Sequence, residues 1–377
     1  MGRFFIPVLA LFYVASQVPL EQFAIIMGVF SLSILLFEIP TGALADLLGR
    51  KRTLLLARSM YIVEIFLIAF FDGFWIFFVA KIISGLGVSL SSGTGQAMLF
   101  DTLKRQKRED QHKKISGKML TITNISMAFV FIIGAYLFSL SPKLPAIVSL
   151  PFVVFGFFLT FFLEEPYKIK KKFNVKSYIK HMKESFAYFR QSNFIKYLSI
   201  MSFFTAAAIS ITFSMSSAYF EKILIPIYLI GILAFVSSLI TAFSSKKAHK
   251  WEKFLGEKTS ILIIQLFIIL SLFLIALMVP YFGYLFYLLI AFISGFSAVI
   301  VGDYVNKHIE SSHRATILSI NNMFGSLSIF LLFPLVGQLG KTNSFGFSFL
   351  ILGSIVLVGF IFLYFYSRKL KINFKKE

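Results

Sequence analysis

Apolar residues fall in twelve long runs separated by short polar stretches, at 3–18, 23–46, 53–71, 75–100, 117–140, 144–163, 195–219, 224–243, 259–279, 281–303, 316–339 and 345–366. Runs of about 18 or more residues with few or no charges read as membrane-spanning helices. Each interior run is long enough to cross ~30 Å of hydrocarbon at ~1.5 Å per residue. The first run reaches only ~24 Å at the same rise. The pattern predicts an all-α membrane protein of twelve transmembrane helices, the first of them short.

The polar stretches are not alike. One set carries Arg50, Lys51 and Arg52, then Lys104 through Lys118, then Lys246 through Lys258, then Lys307 and Arg314. The alternate set holds only Lys143, Lys222 and Lys341. Lys and Arg concentrate in cytoplasmic loops, so the asymmetry predicts an even number of crossings with both termini cytoplasmic. The longest polar stretch divides the chain into a bundle over 1–163, a linker over 164–194 and a bundle over 195–366, followed by a basic tail over 367–377. Phe173, Tyr178, Ile179, Met182, Phe186 and Phe189 recur at roughly helical spacing among lysines, which predicts an amphipathic helix along the cytoplasmic interface, against lipid headgroups or solvated. The halves echo one another: Gly49-Arg50-Lys51 with Gly256-Glu257-Lys258, and Asp101 with Asp303.

Composition adds exclusions. The chain of 377 residues is 58% hydrophobic and 14% charged, with a mean hydropathy of +0.83. Its net charge of +20 sits in short loops rather than in a compact basic domain, so nucleic-acid binding is not expected. There is no Cys, which removes disulfides and thiolate metal sites. The first run ends in Ser16-Gln17-Val18-Pro19 without a small-x-small cleavage site, and reads as a membrane helix rather than a signal peptide.

The run Gly42-Ala-Leu-Ala-Asp46-Leu-Leu-Gly49-Arg50-Lys51-Arg52 carries the sharpest motif. It resembles the loop between the second and third helices of the major facilitator superfamily, Gly-x-x-x-Asp-x-x-Gly-Arg-Lys-x, at every defining position. Two further segments resemble prokaryotic members: Glu38-Ile39-Pro40-Thr41-Gly42, and the stretch from Asp303 to Asn322 with its His313-Arg314-Ala315-Thr316 run. The resemblance implies two pseudo-symmetric six-helix bundles, with substrate bound near the midplane and alternating access by rocking. It also implies a latch: Gly42, Asp46, Gly49, Arg50 and Lys51 would meet the start of the eleventh helix near Arg314, where a carboxylate is favoured by the helix dipole. The glycines would allow close packing. Asp46 and Arg50, spaced i, i+4, would pair if the second helix continues that far. Members of the family usually have more residues before this point, so either the start lies upstream or the first helix is abbreviated.

Ionisable residues inside a bilayer are costly and need a partner or a task. Away from the run ends, four stand inside the membrane: Glu38, Arg58, Glu64 and Lys81. Glu64 and Lys81 lie at equal depth, ~10 Å below the outer hairpin, and are expected to form an ion pair. An alternative turns Lys81 to a cavity and an anionic substrate. Glu38 either pairs with Arg58 or carries a coupling proton. Gln96, Asn124, Gln265, Asn321 and Asn322 are polar candidates for contact with substrate. The five histidines fall in loops, and no metal site, cofactor or ATP-binding motif is expected. The fifth helix lacks the Gly-Pro motif common in drug–proton antiporters of the resembled family. The expectation is not an enzyme but a monomeric secondary transporter of the cell membrane that moves a small molecule, coupled to protons, with export slightly preferred over uptake. A non-transporting receptor or scaffold of the same fold is the rival, favoured by the short first helix.

Overall fold

The computed structural model describes residues 2–108, 111–166, 189, 192–308, 314–342 and 344–369. Among them the regular structure is helical. A 3-10 turn at Ile6–Val8 leads into α1 (Leu9–Ala15), followed by α2 (Leu20–Leu48), α3 (Arg50–Phe70), α4 (Phe74–Ser92), α5 (Thr94–Arg105), α6 (His112–Leu140) and α7 (Leu144–Phe161). Then come α8 (Asn193–Lys222), α9 (Ile227–Leu255), α10 (Glu257–Ala276), α11 (Tyr284–His308), α12 (Arg314–Thr342) and α13 (Phe345–Lys369).

Eleven helical spans among the described residues are long and apolar enough to cross a membrane. One of them, Phe74–Arg105, is α4 and α5 together. The twelfth expected span is the ten-residue segment Ile6–Ala15, which covers about 15 Å at the helical rise. Residues 167–188, which hold most of the expected amphipathic helix, and the tail 370–377 lie outside the described residues, as do His181 and His313.

Within helices that face lipid, hydroxyls turn back on their own backbone, because no water is present to satisfy them. Thr41 donates to the Phe37 carbonyl at 2.7 Å and Thr212 to that of Ala208 at 2.7 Å. Thr41 follows Pro40, which lies inside α2 and deprives the Leu36 carbonyl of its helical donor.

The chain divides into two compact units, one over Met1–Phe173 with Ile227–Phe235, the other over Asn174–Pro226 with Val236–Glu377. Local geometry repeats at a fixed offset. The ends of α1 and α8 (Ala15, Lys222), the ends of α2 and α9 (Leu48, Leu255) and the joints Gly49 and Gly256 are each 207 positions apart. So are Gln17 and Leu224, both left-handed at φ 63° and 65°. Val18 N–H donates to the Tyr13 carbonyl at 3.0 Å, and Ile225 N–H to that of Phe220 at 2.9 Å. This closes the same left-handed helix cap in both repeats, with Pro19 and Pro226 starting the next helix. The cores match as well. Tyr13 packs 4.9 Å from Phe23 and 4.7 Å from Phe77. Its counterpart Phe220 packs 4.9 Å from Tyr287.

Candidate functional site

The first unit holds a buried charge cluster. Residues 2–5 are pinned before the first helical turn: Phe4 N–H donates to Ser149 Oγ on α7 at 2.9 Å, and its ring meets Phe152 edge-on at 5.2 Å. On α6, Gly134 lies so close to the Phe4 carbonyl that any Cβ would collide with it. This anchorage aims Arg3 at one face of α3, where Arg58, Tyr61 and Glu64 recur at helical spacing. The Arg3 guanidinium sits 4.4 Å over the Tyr61 ring, a cation–π contact, and its Nη2 lies 2.9 Å from Glu64 Oε2. Lys81 Nζ on α4 donates to Glu64 Oε1 at 2.9 Å and lies 5.3 Å from the Phe30 ring centroid.

Glu64 is wholly buried, with Lys81 and Arg3 only 6% and 13% exposed. The two contacts differ in kind. The Lys81 bond is aligned as a hydrogen bond, whereas Arg3 Nη2 and Glu64 Oε2 are at ion-pair distance without hydrogen-bond alignment. Coulomb attraction depends on separation rather than on that angle, so both cations count toward Glu64. Two cations against one carboxylate leave the cluster one positive charge in excess. Lys81 is occupied here and does not present a free ammonium. Tyr61 extends the network, its hydroxyl 2.9 Å from Ser91 Oγ.

Glu38 and Arg58 do not pair. Arg58 lines a cavity with Phe152, Val153, Gly156, Leu159, Thr160 and Leu163 of the α7 segment. Its face of α3 is turned to α7 and Arg3, so it has no carboxylate at ion-pair distance among the described residues. Glu38 is half-buried on α2 with no cation at ion-pair distance among the described residues.

The basic turn is a single residue. Gly49 takes φ 88° and ψ 163°, a region essentially restricted to glycine. It ends α2 at Leu48 and starts α3 at Arg50, so Asp46 and Arg50 do not share one helix. The carboxylate over the start of α3 is Glu165, which accepts from the Arg50 N–H at 3.0 Å and the Lys51 N–H at 2.9 Å. It satisfies two orphan donors at the positive end of the helix dipole. Lys51 Nζ donates to the Phe161 carbonyl at the end of α7, at 2.7 Å, and Arg50 Nε lies 3.6 Å from Asp101 Oδ2 on α5. Close packing does not explain Gly42: a Cβ there would meet nothing within 4 Å. The side chains of Asp46 and Arg314 lie outside the described residues.

The polar candidates separate. Gln96 is exposed on α5 and accepts from Ser116 Oγ at 3.3 Å, while Asn124 on α6 and Asn322 on α12 are exposed. Asn321 carries a buried Oδ1 without a hydrogen-bond partner. Gln265 is in the core of the second unit, donating to the Tyr197 hydroxyl at 3.3 Å. Sequence reasoning missed Arg3, the first residue of the first run, and Glu165, just past the sixth; at such places both look like ordinary boundary charges. It noted Asp101 only as a repeat of Asp303; its place one helix away from a basic turn was the available signal. Among the described residues no group of three metal-ligating side chains occurs.

Comparison with known proteins agrees with this architecture. The family model for the Major Facilitator Superfamily matches residues 1–332. The uncharacterized MFS-type transporter YxaM of Bacillus subtilis (strain 168) is 24% identical, over 98% of this chain and 93% of its own. The uncharacterized transporter BU466 of Buchnera aphidicola subsp. Acyrthosiphon pisum (strain APS) is 28% identical over 36% of this chain and 30% of its own. Among solved structures, the nucleoside transporter NupG superposes with a TM-score of 0.76 at 15% identity, over 99% of this chain and 96% of that one. A D-xylose-proton symporter gives 0.76 at 12% identity, over 96% and 94%. With the family model matching residues 1–332 of the 377 and the fold shared along nearly its whole length, this multi-pass membrane chain belongs to the major facilitator superfamily.

Proposed function

We propose that this chain is a proton-coupled secondary transporter that carries a small molecule by alternating access in the cell membrane, as a monomer with both termini cytoplasmic. The similarity of its fold to a nucleoside transporter and a D-xylose-proton symporter supports a small polar or amphipathic substrate and proton coupling. The observation that carries the coupling step is a contrast between two carboxylates. Both oxygens of Glu64 face cations, so protonating it means breaking two ion pairs. Glu38 faces none among the described residues and lies two residues from Pro40, where the helix has lost a backbone hydrogen bond. A carboxylate free of cations beside a weakened helical turn can gain and lose a proton as its surroundings rearrange. Asn321, with its unsatisfied buried oxygen, is a candidate hydrogen-bond acceptor for substrate. The basic turn and the start of α12 remain the proposed latch, Asp46, Arg50 and Arg314 its members. Nothing in the geometry favours export over uptake, and the assay accepts either sign.

The test is proton flux in proteoliposomes across a panel of nucleosides, sugars and amphipathic compounds, with Glu38→Gln beside the wild type. Compound-dependent flux that is lost in Glu38→Gln is the expected result. Flux that survives the substitution moves the proton elsewhere. No compound-dependent flux and no compound-dependent thermal stabilisation favours the receptor or scaffold reading.

A further inference from the structure

In the second unit, the chain leaves α10 and passes through Leu277-Met278-Val279-Pro280-Tyr281-Phe282-Gly283 before α11 begins. None of these residues is charged, and Tyr281 brings the one hydroxyl. Leu277, Tyr281 and Phe282 are nonetheless 64%, 57% and 64% exposed, and Leu224, in the turn between α8 and α9, is 56% exposed. The two turns touch, because Tyr281 N–H donates to the Ile223 carbonyl at 2.9 Å. This apolar crown is built rather than slack. Leu224, Met278 and Tyr281 hold left-handed backbones at φ 65°, 51° and 59°. Bulky residues rarely take that conformation, and it persists only where the surroundings enforce it. Here Gly283 packs on the Tyr219 hydroxyl and Gly346 on the Ala276 carbonyl, each too close to admit a Cβ. The turn between α3 and α4 in the first unit is shorter and charged: Phe71-Asp72-Gly73, with Asp72 paired to Lys143 at 2.7 Å.

Position along the span says what meets this crown. α10 has 20 residues, about 30 Å at the helical rise, which is the thickness of the hydrocarbon. It starts at the polar joint Gly256-Glu257-Lys258, so Leu277 falls at the opposite boundary. Glu221 and Lys222, exposed at the end of α8 just before Leu224, mark the same level by their charge. Leu262, Leu266 and Leu270 recur every four residues along α10 and are all exposed. In a membrane span such an apolar stripe faces acyl chains, and Leu277 continues it seven residues on. The crown is therefore the end of a lipid-facing surface and not an isolated patch in water. Tyr at this depth keeps its ring among the chains and its hydroxyl among the headgroups. We propose that Leu224 and the Leu277–Phe282 loop form a rigid wedge seated in the interfacial zone of the leaflet opposite the basic turns. Leu277 and Phe282 lie among acyl chains, and the Tyr281 hydroxyl lies at the headgroups.

Site-directed spin labelling of the full chain tests this. The sequence has no Cys, so each substitution creates one labelling site. Leu277→Cys and Phe282→Cys are labelled and placed in nanodiscs of phosphatidylcholine and phosphatidylglycerol, which leave both faces open to solutes. Collision rates are then measured with oxygen, which concentrates among acyl chains, and with a water-soluble nickel chelate. Leu266→Cys on the lipid-facing stripe and Arg52→Cys, exposed at the basic turn, set the two limits. Oxygen collisions should exceed chelate collisions at Leu277→Cys and Phe282→Cys, as at Leu266→Cys, and the order should reverse at Arg52→Cys. Both crown side chains are exposed, so their loss leaves the packing in place, and melting curves verify that each variant is folded. Chelate collisions prevailing at either crown position put the loop in water and overturn the proposal. Spin–spin broadening that disappears on dilution with unlabelled chains overturns it too, by putting a second copy on the crown.

Discussion

The excess charge around Glu64 makes an asymmetric prediction. Glu64→Gln removes the sole carboxylate and leaves two desolvated cations facing one another's field, a change of the class that costs about 3–5 kcal/mol when one partner of a buried pair is lost. Lys81→Met does the reverse. It loses a charge-assisted hydrogen bond, worth about 1.5–3 kcal/mol. It also removes the unbalanced charge, leaves Glu64 paired with Arg3 and keeps an apolar stem beside Phe30. The net cost should be below about 2 kcal/mol, since the relief of desolvation offsets part of the lost bond. The double variant should be more stable than the sum of the single effects implies, by about 0.5–3 kcal/mol, the usual coupling between residues in contact. Denaturant titration in mixed micelles, with Arg3→Gln as a fourth variant behaving like Lys81→Met, supplies the measurements. A simple two-residue pair predicts equal costs for the two single substitutions, because each strands one charge. Equal costs, or strict additivity in the double variant, would refute the three-membered cluster.

Gly134→Ala should mimic Arg3→Gln in the same titration, because its Cβ displaces the Phe4 carbonyl and with it the segment that aims Arg3. Gly49→Ala and Gly256→Ala should each cost about 1–3 kcal/mol through backbone strain, read as lost folded yield and a lower melting temperature. Gly42→Ala should fold at least as well as wild type, since its Cβ meets nothing; a loss of flux with unchanged stability would assign Gly42 to a different state of the cycle. Glu165→Ala should cost about 0.5–2 kcal/mol, as for other helix-capping residues, and speed amide exchange at Arg50 and Lys51 by roughly 2- to 30-fold. Unchanged exchange would remove Glu165 as the cap of α3.

Hydrophobic periodicity determined by itself that this chain lives in a membrane and is helical, because only helices satisfy every backbone group locally over uncharged runs of this length. The motif at Gly42–Arg52 pointed to the superfamily, but its spacing left open whether the second helix ran on to Arg50; the positive φ of Gly49 that ends it is seen only in the structure. Glu64 and Lys81 were matched by depth alone, since two helices joined by a short hairpin put residues equally far from it at the same level. Tertiary structure decided the rest. Arg3 joins Glu64 from 61 positions away only because Ser149 and Gly134 hold the segment before it. Arg58 turns to α7 rather than to Glu38 because its face of α3 is set by how that helix rolls against its neighbours. Glu165 caps α3 across more than a hundred residues because α7 returns the chain to the basic turn. Spacing along a helix is written in the sequence, but which face meets which neighbour is a property of packing. Whether a buried charge is paired, crowded or alone follows from that packing.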